Sequence, residues 1–272
     1  MTPSRSKDAR VLWALLALTA PAFLLPRAAS ADRKYFVETY TPYLDPAGET
    51  EVETWVTARS GQQGSNGAAA WDWREELEHA VTGRLTAAAY LNFSKPPGGA
   101  LRFESPSLEL VYRFADSGRL PGDPAVYLET TESGEELELE PKLLLAHRVR
   151  KLVAAVNLIG ELELRHNDEE ILESGGILRK EWAWEWSGGA SYEWTRHLAA
   201  GLEARYRAEY PNFGPREGSA LHVGPTINLR AGAVQIAVGV LRQVRGTPRT
   251  SGRLNLADFE RTRVRAVLGF EL

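Results

Sequence analysis

Residues 198–210 read LAAGLEARYRAEY, and their alternation decides the fold class. Leu198, Ala200, Leu202, Ala204, Tyr206, Ala208 and Tyr210 fall on one side of an extended chain, and Gly201, Glu203, Arg205, Arg207 and Glu209 on the other. A period of two belongs to a β-strand, whose successive side chains point to opposite faces. Upstream, Leu85, Ala87, Ala89, Leu91 and Phe93 oppose Arg84, Thr86, Ala88, Tyr90 and Asn92. At the C-terminus, Val264, Ala266, Leu268, Phe270 and Leu272 oppose Arg265, Val267, Gly269 and Glu271. Twelve strands are predicted, at 49–59, 70–80, 83–94, 100–114, 125–132, 135–146, 152–166, 180–194, 198–210, 217–231, 233–244 and 260–272.

Most of these segments are ten to fifteen residues long, whereas strands of globular proteins cluster near five or six. Such lengths suit a tilted bilayer crossing, which keeps about nine to eleven residues in hydrocarbon. Loops 60–69, 95–99, 167–179, 211–216 and 245–259, with a Ser133-Gly134 turn, would face outward as mobile, polar tips. The other side would hold the turns Val81-Thr82, Thr195-Arg196-His197 and Ala231-Gly232, and segments near 115–124 and 147–151. Short turns on one side and longer loops on the other are the pattern of a transmembrane barrel. The expected fold is therefore all-β: a transmembrane antiparallel up-and-down β-barrel of about twelve strands after a cleaved signal peptide. A secreted or periplasmic β-sandwich is the alternative.

The two faces differ in chemistry. Trp182, Trp184, Trp186, Tyr192, Trp194 and Phe270 are candidate membrane-facing aromatics, anchors at the level of the lipid headgroups. The three tryptophans at 182, 184 and 186 span about 14 Å, more than one girdle, so some are expected against a neighbouring chain or a bound lipid. Candidate lumen-lining residues are Glu53, Glu109, Arg113, Glu138, Glu161, Glu163, Arg165, Glu203, Arg205, Arg207, Arg263 and Arg265. Carboxylates and guanidinium groups there can pair across strands. Pro106, Pro141 and Pro225 fall inside predicted strands and cost ladder hydrogen bonds, so they call for bulges or strand ends. Gly188-Gly189, also inside a strand, points to a bend or bulge.

The first 31 residues read as a signal peptide. Arg5, Lys7 and Arg10 precede an apolar run from Val11 to Leu25, and Ala29-Ser30-Ala31 offers a cleavage site; a membrane anchor is the alternative. Residues 32–48 are expected as a periplasmic N-terminal segment and 49–272 as the barrel. The chain has 272 residues, 36 acidic against 32 basic, and no cysteine. No cysteine means no disulfide framework and no thiolate chemistry. The slight acidic excess argues against nucleic-acid binding, which needs a clustered basic surplus.

Catalytic signals are weak. His79, His147, His166, His197 and His222 form no metal-site spacing and read as strand-end or turn residues. Outer-membrane phospholipases and deacylases resemble each other in a His-x-Ser pair, but His222 is followed at that position by Gly224, which leaves no nucleophile. Asp72 reads as part of a charged strand face and Asp123 as a turn residue. Asp168, Glu169 and Glu170 lack the spacing of a calcium loop. No catalytic residue, cofactor or metal site is assigned.

Two resemblances bear on function. The last strand resembles the signal by which outer-membrane barrels engage the assembly machinery, with Phe270 and Leu272 at the apolar positions and Arg265 at the polar one. Its glycine stands at Gly269, Val267 takes the usual place, and the last residue is not aromatic. Tyr40, Leu44, Gly48, Glu51, Trp55, Thr57 and Arg59 resemble the opening of a family of uncharacterised, porin-like bacterial outer-membrane barrels. The stretches Tyr112 to Glu129 and Asn157 to Glu163 are similar to the same family. The resemblance implies a barrel in the outer membrane with lipid and the assembly machinery as partners. Three readings stay open: a passive channel with weak ion selectivity, a closed structural or partner-binding barrel, and a lipid-modifying enzyme.

Overall fold

A computed structural model describes residues 33–134, 136–165 and 179–272. The expected signal peptide, His166 and the Asp168–Glu170 cluster lie outside the described residues. Twelve strands are described: β1 (Thr50–Ser60), β2 (Ala70–Thr82), β3 (Leu85–Lys95), β4 (Arg102–Arg113), β5 (Ala125–Glu132), β6 (Glu136–Val149), β7 (Leu152–Arg165), β8 (Arg179–Glu193), β9 (Leu198–Pro211), β10 (Gly218–Ala231), β11 (Val234–Thr247) and β12 (Thr262–Glu271). Each pairs with its sequence neighbours, and β1 pairs antiparallel with β12 to close the barrel. Closure satisfies both edges, which open strands in hydrocarbon could not do.

The faces sort by polarity in reverse of a soluble core. Leu77, Leu108, Leu128, Leu158, Leu202 and Ile227 point outward and are exposed. The inward side includes Glu53, Glu76, Glu109 and Glu203, which are buried. Two of the outer aromatics pack on neighbours in the same barrel. The Trp182 ring lies over Gly160, where a Cβ would come within 2.6 Å of it. Trp186 stacks on Tyr206 at 6.3 Å. Both rings thus make intramolecular contacts across adjacent strands.

The prolines sit within strands, as expected, and the ladder gives way near each. The β6–β7 register skips Glu140 and Pro141, and the β10–β11 register skips Gly224 and Pro225. Beside Pro106, the β3–β4 register shifts between Asn92 and Phe93, which leaves Glu104 as the extra residue of a bulge.

Two segments expected outside the barrel wall fold inward. Residues 248–259, expected within an outward mobile loop, bury Asn255, Leu256 and Phe259, and Glu260, expected to open the last strand, is buried beside them. Gln243 holds them, donating to the Asn255 and Glu260 carbonyls at 3.0 and 3.1 Å and accepting from the Asn255 amide at 2.7 Å. The second is the stretch before β1, expected as a periplasmic lead-in. Tyr35, Phe36 and Val37 in it are at most 3% exposed, inside the lumen.

Candidate functional site

The barrel interior divides into two halves. In the half nearest Thr50 and Glu271, inward positions are often small: Ala125, Ala146, Ala155, Ala199, Ala237, Gly189 and Gly239. That leaves room for a chain, and residues 33–45 fill it as a re-entrant strap. Phe36 lies against Gly189, and Val37 against Gly239, where an added Cβ would collide with each. Gly189 therefore marks the seat of the strap, where the sequence suggested a bend or bulge. Tyr35 and Phe36 pack with Ala146, Val153, Ala155 and Ala199. Val37 packs with Trp55, Ala237, Leu241 and Val267. Tyr40 and Leu44 pack against Val111, Tyr127 and Leu144.

Barrel side chains satisfy the strap's backbone, which would otherwise carry unpaired polar groups into the interior. Glu203 accepts from the amides of Val37 and Glu38 at 3.1 and 2.9 Å. Asn157 both accepts from the Tyr40 amide at 2.6 Å and donates to its carbonyl at 2.9 Å. Ser187 donates to the Glu38 carbonyl at 3.1 Å. Arg33 donates to the Arg196 carbonyl, in the β8–β9 turn, at 2.5 Å. The strap thus starts at the opening shared by Thr50 and Glu271, rises to Glu38, and returns.

Glu38 is the apex. Its carboxylate accepts from Arg263 Nε at 2.6 Å and Arg265 Nη1 at 2.9 Å, with Arg205 Nε at 3.9 Å. Arg265 also donates to the Val37 carbonyl at 3.0 Å and to Thr57 at 2.8 Å. Above Glu38 lies a chamber of about 340 Å³. One side of it holds ion-paired arginines: Arg205 grips Glu185 through two bonds at 2.8 and 2.5 Å, and Arg207 grips Glu161. On the other side Lys142 pairs with Glu140 at 2.8 Å and lies 3.7 Å from the Tyr127 ring centroid. Arg74 lies 3.9 Å from the Tyr90 centroid and 3.5 Å from Glu129.

The register places all twelve sequence-predicted lumen residues on the inner face, but not in one site. Glu53, Glu203, Arg263 and Arg265 hold the strap, and Arg205, Arg207 and Glu161 line the chamber. Glu138, Glu163 and Arg165 stand at the far rim, where Arg165 pairs with Glu136 at 3.1 Å. Arg113 sits at the near opening, donating to the Gly83 carbonyl at 2.7 Å. Glu109 faces inward near the strap. The six aromatics face outward.

Sequence reasoning missed Glu38, Arg74 and Glu185. Glu185 was within reach, since it alternates with the tryptophans of β8; so was Arg74, which alternates with Trp71 and Trp73. The strap had a signal too: YFVETYTPYL is too apolar for a solvated linker. His222 is buried, and its Nε2 donates to the Glu260 carbonyl at 3.0 Å. A Cβ at Gly224 would run into the Val240 carbonyl oxygen, so no serine fits there.

Residues 135–272 match the family of unknown function DUF6662. The chain belongs to that family. The match contains the Asn157–Glu163 stretch of the resemblance described above and begins after its other two stretches. No curated protein matches this DUF6662 chain. Its fold is similar to that of two solved outer-membrane proteins. One is the NanC porin, with a TM-score of 0.54 and 12% identity over 81% of this chain and 100% of the porin. The other is an outer-membrane channel from Pseudomonas putida F1, with a TM-score of 0.59 and 11% identity over 87% of this chain and 100% of the channel. At such identities the likeness concerns the fold, a closed antiparallel barrel of the outer-membrane kind.

Proposed function

We propose that this DUF6662 protein is an outer-membrane channel for small solutes that rests closed, shut by its own N-terminal strap. The observation that carries the reading is the strap itself, residues 33–45 seated in half of a lumen whose other half is a charged chamber. The chamber, at about 340 Å³, falls at the lower end of the range for small-molecule sites, roughly 300–1,000 Å³. With the termini on the periplasmic side, the chamber faces outward and the strap guards the inner opening. Walls of both signs suit small hydrophilic solutes and predict weak ion selectivity. No group in the chamber is assigned a reaction.

Planar-bilayer conductance tests this. The full barrel should leave the bilayer nearly sealed, and deletion of residues 33–45 should open it. A full barrel that conducts as well as the deletion removes the strap's role. A deletion that stays sealed removes the channel and leaves a permanently closed barrel.

A further inference from the structure

Beside the strap, the inner wall gathers carboxylates. Glu51 stands directly across from Glu78, and Glu53 across from Glu76; like charges in such positions destabilise a sheet. Glu78 and Glu109 both register against Ala88 of β3, whose methyl group leaves the space between them open. Oxygens of Glu76, Glu78 and Glu109 lie within 4.8 Å of one another. Glu76 and Glu109 are each 3% exposed. Each also keeps one buried oxygen, Oε2, with no hydrogen-bond partner. Lys34 reaches Glu53 at 3.0 Å and Glu78 at 3.9 Å, but among the described residues no ion pair reaches Glu76 or Glu109. A cavity of about 40 Å³ adjoins the group, walled by Glu78, Glu109 and Glu51 and by Tyr40, Leu44 and Asp45 of the strap. One water-sized body needs about 10–15 Å³ of such space.

We propose that Glu76, Glu78 and Glu109 bind a hard divalent cation, calcium in preference to magnesium, in the seam between barrel wall and strap. Ionised carboxylates are acceptor-only groups, so a cation held among the three would satisfy the partnerless Oε2 atoms of Glu76 and Glu109. Calcium takes oxygen ligands in irregular geometry, whereas magnesium demands a near-regular octahedron. The strap closes the cavity, so the bound ion lies under it and bridges β2 and β4. This site does not depend on the channel reading, because binding is measured without any current.

The test is calorimetric titration of calcium chloride into the purified full chain in detergent, with heat-modifiable migration as the check on folding. One calcium per chain is expected, with binding lost in Glu76→Gln/Glu109→Gln and kept in the far-rim variant Glu138→Gln/Glu163→Gln. Ala88→Leu retains every carboxylate but fills the gap, and it should also lose binding; it decides the matter should the glutamine variant fail to fold. The weakest extracellular calcium modules bind near 10⁻³ M, so absence of binding up to about 10 mM overturns the site. Binding that survives Glu76→Gln/Glu109→Gln or Ala88→Leu, or that is lost only in the far-rim variant, overturns it as well.

Discussion

At Glu38, burial alone would raise the carboxyl's hold on its proton, and the charges of Arg263, Arg265 and Arg205 reverse that, keeping it below its ordinary value of 4.5. Glu260 behaves alike: burial raises it, and Arg263, Arg205 and His222 bring it down to about 2. A carboxyl lowered on folding contributes stability that is full above its unfolded value and drains away as pH falls through the folded one. The thermal midpoint should therefore drop as pH is lowered from 4.5 towards 2, and Glu38→Gln should flatten part of that slope. Removing the polar side chain outright is harsher. Glu38→Ala leaves guanidinium groups buried without their carboxylate, a change that costs about 3–5 kcal/mol where a buried pair is broken. Thermal unfolding should show that loss, and trypsin should begin to cut at Arg33 and Lys34. An uncut strap would mean that its apolar contacts suffice without the clamp.

The strap and the strands differ in how plainly the sequence announces them. Every strand was legible, because side chains that alternate over eight or more residues would scatter around a helix and serve no purpose in a loop. No boundary moved by more than three residues. The inner face was legible at Glu53, Arg205 or Arg263 because side-chain direction follows from the period alone. Which inner residues meet was not, since partners such as Glu38 and Arg263 lie 225 positions apart and depend on barrel closure. The inward turn of residues 248–261 was hidden for a similar reason: its bonds run to Gln243 and Gln62, which lie on other elements. The strap's seat can be checked directly, because the chain has no cysteine of its own. Val37→Cys with Gly239→Cys places two thiols where a Cβ at 239 would press on the Val37 side chain. Oxidation should form the bridge, detected as a gel shift reversed by reductant. A folded double variant that forms no bridge would mean that the strap does not sit against β11.

Over the whole molecule, the outer and inner faces answer to different solvents. Leu202, 63% exposed in β9, faces the bilayer's hydrocarbon. An arginine at the midplane of such a face costs about 2–4 kcal/mol, so Leu202→Arg should lower the folding free energy by that amount in a lipid-refolding titration. Its neighbour Arg205 already carries the same charge inward at no such penalty, held by Glu185. A neutral effect of Leu202→Arg would mean that this face does not lie in lipid. The strap adds a mechanical consequence. Residue 33 is tied at the β8–β9 turn, at the same opening where β1 begins, so the strap is a loop with both ends on one side. Tension applied at Arg33 would peel it away contact by contact, Arg33 first and Glu38 later, without threading anything through the barrel. Such a latch yields to a weak, directed pull from its own opening while resisting a push from the chamber, which presses Glu38 against a seat that is already full.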